Sequence, residues 1–199
     1  MKNIENSSPK NLRYEVRLSG SGGQGIVLAG VILAEAAVIE GRHVAQSQTY
    51  GPESRGGNAL SEVILSEEDI DYAHTIGLDM LVALTQDGCN RSLADMKPDG
   101  LVIVDSDLVH GVLWSRVASI PLQKVAQEVG ESRAINIAAL GAIAAFCPLV
   151  SPESLTKAIT NRLPPARVAG NLLAFNKALK LGRNLKKHLA PATVEDSEI

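Results

Sequence analysis

Apolar and polar residues alternate through Tyr14, Val16 and Leu18 and then give way to Gly20-Ser21-Gly22-Gly23-Gln24-Gly25. From Ile26 to Ile39 the chain is small and apolar almost without interruption. A period of two followed by glycines and then a long apolar run predicts strand, tight turn and buried helix. Gly41 closes that helix, and Arg42–Gln48 reads as a second strand. Leu60–Leu65, Met80–Leu84, Leu101–Val104 and Val117–Pro121 follow as further strands, the short unbroken apolar runs marking interior positions. Helices are expected over Asp87–Met96, Leu122–Val129, Ile135–Phe146 and Arg167–Lys187. Another starts at Ser151, with Ser151 as N-cap and Pro152 at its first position. Thr49–Asn58 and Lys97-Pro98-Asp99-Gly100 are rich in turn formers. Glu67-Glu68-Asp69-Asp71 reads as a solvated turn. The strand–helix alternation predicts an α/β fold: a three-layer αβα Rossmann-like sandwich with a mostly parallel sheet. Ligands of such sheets bind at the carboxyl ends of the strands.

At 199 residues the chain is expected to form one domain over 13–188, with flexible tails at 1–12 and 189–199. Only 3% of residues are aromatic, so the core must be built from Ala, Val, Leu and Ile. That scarcity, with a net charge of −3, argues against a nucleic-acid partner. The run 26–39 falls short of the roughly 20 residues that span a bilayer, so no membrane is expected either. Met1–Asn11 has no apolar signal region. Cys89 and Cys147, with no C-x-x-C, fit a reducing cytoplasm and cannot supply four ligands to an iron–sulfur cluster or a four-cysteine zinc site.

The glycines at 20, 22 and 25 satisfy G-x-G-x-x-G, and a helix starting at such a turn presents free N–H groups to an anion. Gly20, Ser21, Gly22, Gly23, Gln24 and Gly25 are therefore the candidate phosphate or cofactor site. A dinucleotide site wants an acidic residue roughly 20 positions on, where this chain has Val44-Ala45-Gln46-Ser47-Gln48. A Walker A loop needs Lys and Ser/Thr after the last glycine, where this chain has Ile26 and Val27. The alternative is that the glycines only let the first helix pack closely on the sheet.

The loop Tyr50, Gly51, Pro52, Glu53, Ser54, Arg55, Gly56, Gly57 joins a rigid proline, a carboxylate, a guanidinium, a phenol and two permissive glycines. Arg55 can grip a carboxylate or phosphate with two prongs; equally, the segment can be an ordinary surface loop. No catalytic residue emerges. His43, His74, His110 and His188 lack metal-ligand spacing, and there is no G-x-S-x-G elbow. Between Ser154 and Thr193 lie eight Lys/Arg and no acid, which suits either a solvated basic face or a docking surface for an acidic partner or polyphosphate.

Taken together, Gly20–Ile26 with Ala29-Gly30 and Leu33-Ala34, then Tyr50–Gly57, resemble the gamma subunit of the 2-oxoacid:ferredoxin oxidoreductases. Asp79–Leu84, Asn136 with Leu140-Gly141, and Asn171 add to the resemblance, which covers most of 14–182. The Tyr-Gly-Pro-Glu-Ser-Arg-Gly-Gly form is closer to the 2-oxoglutarate branch than to the pyruvate branch. The resemblance implies a subunit, not catalytic alone, of a complex that decarboxylates a 2-oxoacid oxidatively and passes electrons to external ferredoxin. It implies thiamine diphosphate, Mg, 4Fe-4S clusters and coenzyme A in the complex. Its partners would be alpha and beta subunits and a ferredoxin-like delta subunit or domain. The loop at 50–57 would face the interface or active site. The rival reading is a free-standing Rossmann-like protein that binds a flavin or nicotinamide nucleotide.

Overall fold

The computed structural model describes residues 13–51 and 57–189. The chain runs β1 (Arg13–Ser21), α1 (Ile26–Ile39), β2 (His43–Tyr50), β3 (Asn58–Ser66), β4 (Leu78–Ala83) and α2 (Gln86–Ser92). A single 3-10 turn (Leu93–Asp95) leads into β5 (Met96–Asp105), β6 (Val117–Ile120) and α3 (Leu122–Glu128). Then come α4 (Ile135–Phe146), α5 (Pro152–Arg162) and α6 (Pro165–Lys186). The six strands form one sheet in the order β2-β3-β1-β4-β5-β6. β1, β4, β5 and β6 pair in parallel, while β3 is antiparallel to both β1 and β2. The sheet is thus mostly parallel, as the alternation predicts. The exception has a simple cause: the short 51–57 connection cannot hold a crossover helix, so β2 and β3 must form a hairpin.

The two faces of the sheet are covered unequally. Val16, Leu18, Val63, Val82 and Ile103 point into one large core with Leu33 of α1, Leu140 of α4, Leu155 of α5 and Phe175 of α6. Burial at 0% exposure for most of these residues makes this core the main source of stability. On the opposite face, Leu81, Ala83, Val102 and Val104 pack against Cys89 of α2 and Val109. The third layer of the sandwich is therefore one short helix and its flanking connections, thinner than the first.

Two glycines set helix spacing. A side chain at Gly30 would collide with Ser61, whose Cβ lies 2.9 Å from the position it would take, so α1 can settle directly on β3. At Gly141 a side chain would strike the backbone of Phe175, which brings α4 and α6 into close contact.

Lys97–Gly100 is not a turn between elements but a bulge inside β5. Met96 pairs with Leu78 and Leu101 with Met80, so four residues loop out opposite Asp79. Lys97 reaches back to Asp79 at 2.7 Å, and Trp114 Nε1 donates to the Gly100 carbonyl at 2.8 Å. The turn-forming residues are accommodated without breaking the strand. The preceding helix accordingly ends earlier, at Ser92. At Ser151 the expected cap forms: its hydroxyl accepts from the Ser154 amide at 3.1 Å, with Pro152 in the first turn.

Candidate functional site at the carboxyl edge of the sheet

β1 ends at the glycine turn, and each residue there has a definable role. The Gln24 side chain folds back so that Oε1 accepts from the Ser21 amide at 2.7 Å. That oxygen and Ile26 Cδ1 lie 2.5 and 2.7 Å from where a Gly20 side chain would start. Gly20 is therefore glycine because Gln24 and Ile26 occupy its side-chain space. Gly23 and Gly25 adopt φ of +95° and +76°, in the left-handed region that favours glycine. Asn136, at the start of α4, donates from Nδ2 to the Gly25 carbonyl at 3.2 Å and holds the α1 N-terminus in place.

The loop's polar groups are only partly used up internally. Ser21 and Gln24 amides bond within the turn, at 2.7 and 3.1 Å. The amides of Gly23, Gly25 and Ile26 have no acceptor among the described residues. They sit at the N-terminus of a fourteen-residue helix whose dipole favours negative charge. A phosphate or carboxylate is the chemical complement of that arrangement.

The second candidate segment meets the first here. The Gly22 amide donates to the Gly57 carbonyl at 2.8 Å, and the Gly51 amide donates to the Asn58 carbonyl at 2.7 Å. The base of the β2–β3 hairpin loop is thus hydrogen-bonded to the glycine turn. Tyr50 stands 61% exposed at this base. Pro52, Glu53, Ser54, Arg55 and Gly56 lie outside the described residues.

Further ties complete the edge. Asn58 Nδ2 donates to Asp87 Oδ2 at 2.8 Å, joining the hairpin to the first turn of α2. Thr85 caps that helix by accepting from the Gly88 amide at 3.2 Å. Asn58, Thr85 and Asp87 were not singled out from sequence as site residues, since isolated polar residues at strand ends carry no periodic signal. The histidines are not gathered: His43 faces Asp69 at 3.0 Å, and the His74 ring packs by Tyr72. Among the described residues no three His, Cys, Asp or Glu side chains converge as metal ligands. Both cysteines are buried and unpaired.

On the thin face of the sheet lies a charge network that sequence periodicity did not reveal, with Glu15 buried, Arg17, Glu62 and Asp79 partly buried and Asp95 exposed. Arg17 bonds Glu62 at 2.6 Å and also pairs with Asp95. Glu15, 2% exposed, accepts from the Ile76 and Gly77 amides at 2.7 and 3.0 Å and from Arg13 Nε at 2.8 Å. Asp79 takes the Glu15 amide and Lys97, each at 2.7 Å. Burial of Glu15 and partial burial of Glu62 and Asp79 are compensated by hydrogen-bond donors. Together with Arg13, Glu15 and Glu62 tie down residues 72–77. Their arrangement is structural.

Comparison with known proteins adds four findings. The family model described as pyruvate ferredoxin/flavodoxin oxidoreductase matches residues 15–181. The 2-oxoglutarate synthase subunit KorC of Methanocaldococcus jannaschii is 42% identical over 180 residues, covering 87% of this chain and 96% of the relative. The keto/oxoacid ferredoxin oxidoreductase gamma subunit of Geobacter sulfurreducens superposes with a TM-score of 0.74 at 41% identity, covering 85% of this chain and 98% of that one. A 2-oxoglutarate:ferredoxin oxidoreductase from Magnetococcus marinus, solved with 2-oxoglutarate, coenzyme A and succinyl-CoA bound, gives a TM-score of 0.78 at 25% identity. There the match covers 86% of this chain but 31% of the longer one.

Proposed function

The chain belongs to the pyruvate ferredoxin/flavodoxin oxidoreductase family, and from that premise we propose that it is the gamma subunit of a 2-oxoglutarate:ferredoxin oxidoreductase working in the cytoplasm. The overall conversion takes a 2-oxoacid and coenzyme A to acyl-CoA, CO₂, a proton and two electrons. Thiamine diphosphate with Mg supplies the chemistry that releases CO₂, and 4Fe-4S clusters carry the electrons onward to external ferredoxin. This chain's two buried thiols and scattered histidines do not fit those groups, so alpha, beta and ferredoxin-like delta chains or domains hold them.

This subunit contributes position. The observation that carries the reading is the Gly22–Gly57 hydrogen bond, which joins the glycine turn to the foot of the β2–β3 hairpin loop at one edge of the sheet. In the assembly, Tyr50–Gly57 buttresses the active-site chains, with Arg55 gripping a carboxylate there. The Gly20–Gly25 turn faces the same region beside the path of coenzyme A. Its amides without an acceptor among the described residues suit a phosphate of that substrate.

The test is co-expression of the complex with Arg55→Ala. The expected result is a fall in coenzyme A-dependent turnover of about tenfold or more, the scale of losing a charge-assisted contact. Assembly and turnover both at wild-type levels would overturn the role given to this loop. Turnover by the isolated chain would overturn the subunit reading itself.

A further inference from the structure

We propose that the groove between α3 and α6 seats an acidic, amphipathic segment of a partner polypeptide, an inference that rests on the subunit reading. The groove has a volume of about 390 Å³. Its floor is apolar, formed by Pro121, Val125 and Leu181, and its rim carries Lys124, Lys177 and Lys180. Lys177 bonds Glu128 across the groove at 2.6 Å, and Lys124 also acts on that carboxylate. Lys180 has no carboxylate within ion-pair distance among the described residues. Three ammonium groups thus line the groove with one acid, leaving an excess of positive charge at the rim over an apolar floor.

The imbalance extends well beyond the groove. Residues 154–193 hold eight of the 19 Lys/Arg and none of the 22 Asp/Glu, so the remainder of the chain has 11 basic and 22 acidic residues. α6 carries Arg167, Lys177, Lys180, Arg183 and Lys186 in 22 residues without one acid. A basic helix needs few such residues to satisfy its own C-terminal dipole. Lys177 and Lys180, three positions apart, share one side of the helix with Leu181 beside them. An apolar centre with a charged rim is the anatomy of a protein interface. Charge complementarity selects an acidic occupant, and the floor requires that it present apolar side chains as well.

The experiment uses the co-expressed complex. Carbodiimide, which joins an amine directly to a contacting carboxylate, is applied to the assembled complex and the linked peptides are identified by mass spectrometry. Coupling of Lys124 or Lys180 to Asp or Glu of a partner chain is expected. The double substitution Lys124→Glu with Lys180→Glu should weaken association about tenfold or more at low salt. The neutral pair Lys124→Gln with Lys180→Gln should fall between it and wild type. Thermal melts of both isolated variants check that the exposed substitutions leave the fold intact. Couplings confined to this chain, or charge reversal with unchanged affinity, would overturn the inference while leaving the subunit reading standing. Failure of the wild-type chain to assemble with alpha and beta chains would overturn that reading and this one with it. Capture of nucleic acid in place of protein at this groove would overturn it as well.

Discussion

Asn136 donates to the carbonyl of Gly25 and also occupies the space a side chain at Gly25 would fill, its Cγ 2.9 Å from that point. One contact across 111 residues thereby joins the start of α4 to the start of α1. Gly25→Ala must meet both this collision and the strain of φ +76°. The expected loss is about 2–4 kcal/mol, combining left-handed strain with overpacking. Asn136→Ala alone should cost about 1 kcal/mol. In the double variant the collision vanishes and only the strain and lost bond remain, so the two effects should sum to more than the double loss. A double-mutant cycle by urea denaturation measures this coupling; strict additivity would refute the clamp.

Gly141 and Gly20 make a second comparison. Alanine at Gly141 would press on the Phe175 and Leu179 backbone, with the Phe175 carbonyl carbon 2.9 Å away, and a helix backbone cannot step aside singly. Alanine at Gly20 meets the ends of two side chains, Gln24 and Ile26, which can rotate. Gly141→Ala should cost about 3 kcal/mol or more and Gly20→Ala about 1 kcal/mol. Midpoints of thermal unfolding should rank the two variants in that order.

Acid should weaken the fold partly through Glu62. Burial pushes its carboxyl upward, but hydrogen bonds from Thr75 and Arg17 and the Arg17 charge outweigh burial and hold it below 4.5. A carboxyl lowered by folding adds stability that is complete above its unfolded value and is lost as pH falls through the folded one. Burial raises Asp79 despite Lys97 and the Glu15 amide, so Asp79 acts in the opposite sense as pH rises past 3.8. Glu62→Gln should lower stability at pH 7 and flatten the decline below pH 4.5. Urea midpoints measured from pH 3 to 7 check it; an unchanged acid limb would contradict the assignment.

The thiols should be inert in the native state. Burial raises both, Cys147 to about 12 and Cys89 above its ordinary value. Iodoacetamide at pH 8 should label neither in the folded chain and both after denaturation, since only the thiolate reacts. Rapid labelling of either thiol in folded protein would show that its cover opens.

The glycine turn, the apolar helix behind it and the interior strands were all legible because each writes a local pattern. Gly-x-Gly-x-x-Gly between a period of two and a long, nearly unbroken apolar run is a turn whatever lies beyond it, and Ser151-Pro152 starts a helix by its own chemistry. Nothing local said that Lys97–Gly100 would bulge within a strand, because the turn residues do not reveal that Leu78 and Met80 pair on either side of them. Nor could spacing place Asn136 on Gly25, Gly57 on Gly22, or Arg17 between Glu62 and Asp95. Periodicity reports which way a side chain faces. Which distant residue waits there is decided only when the strands take their order, because hydrogen bonds act over about 3 Å and carry no trace along the chain. The sequence by itself therefore determined the elements and the residue types at the edge of the sheet. The tertiary structure alone decided that those residues meet.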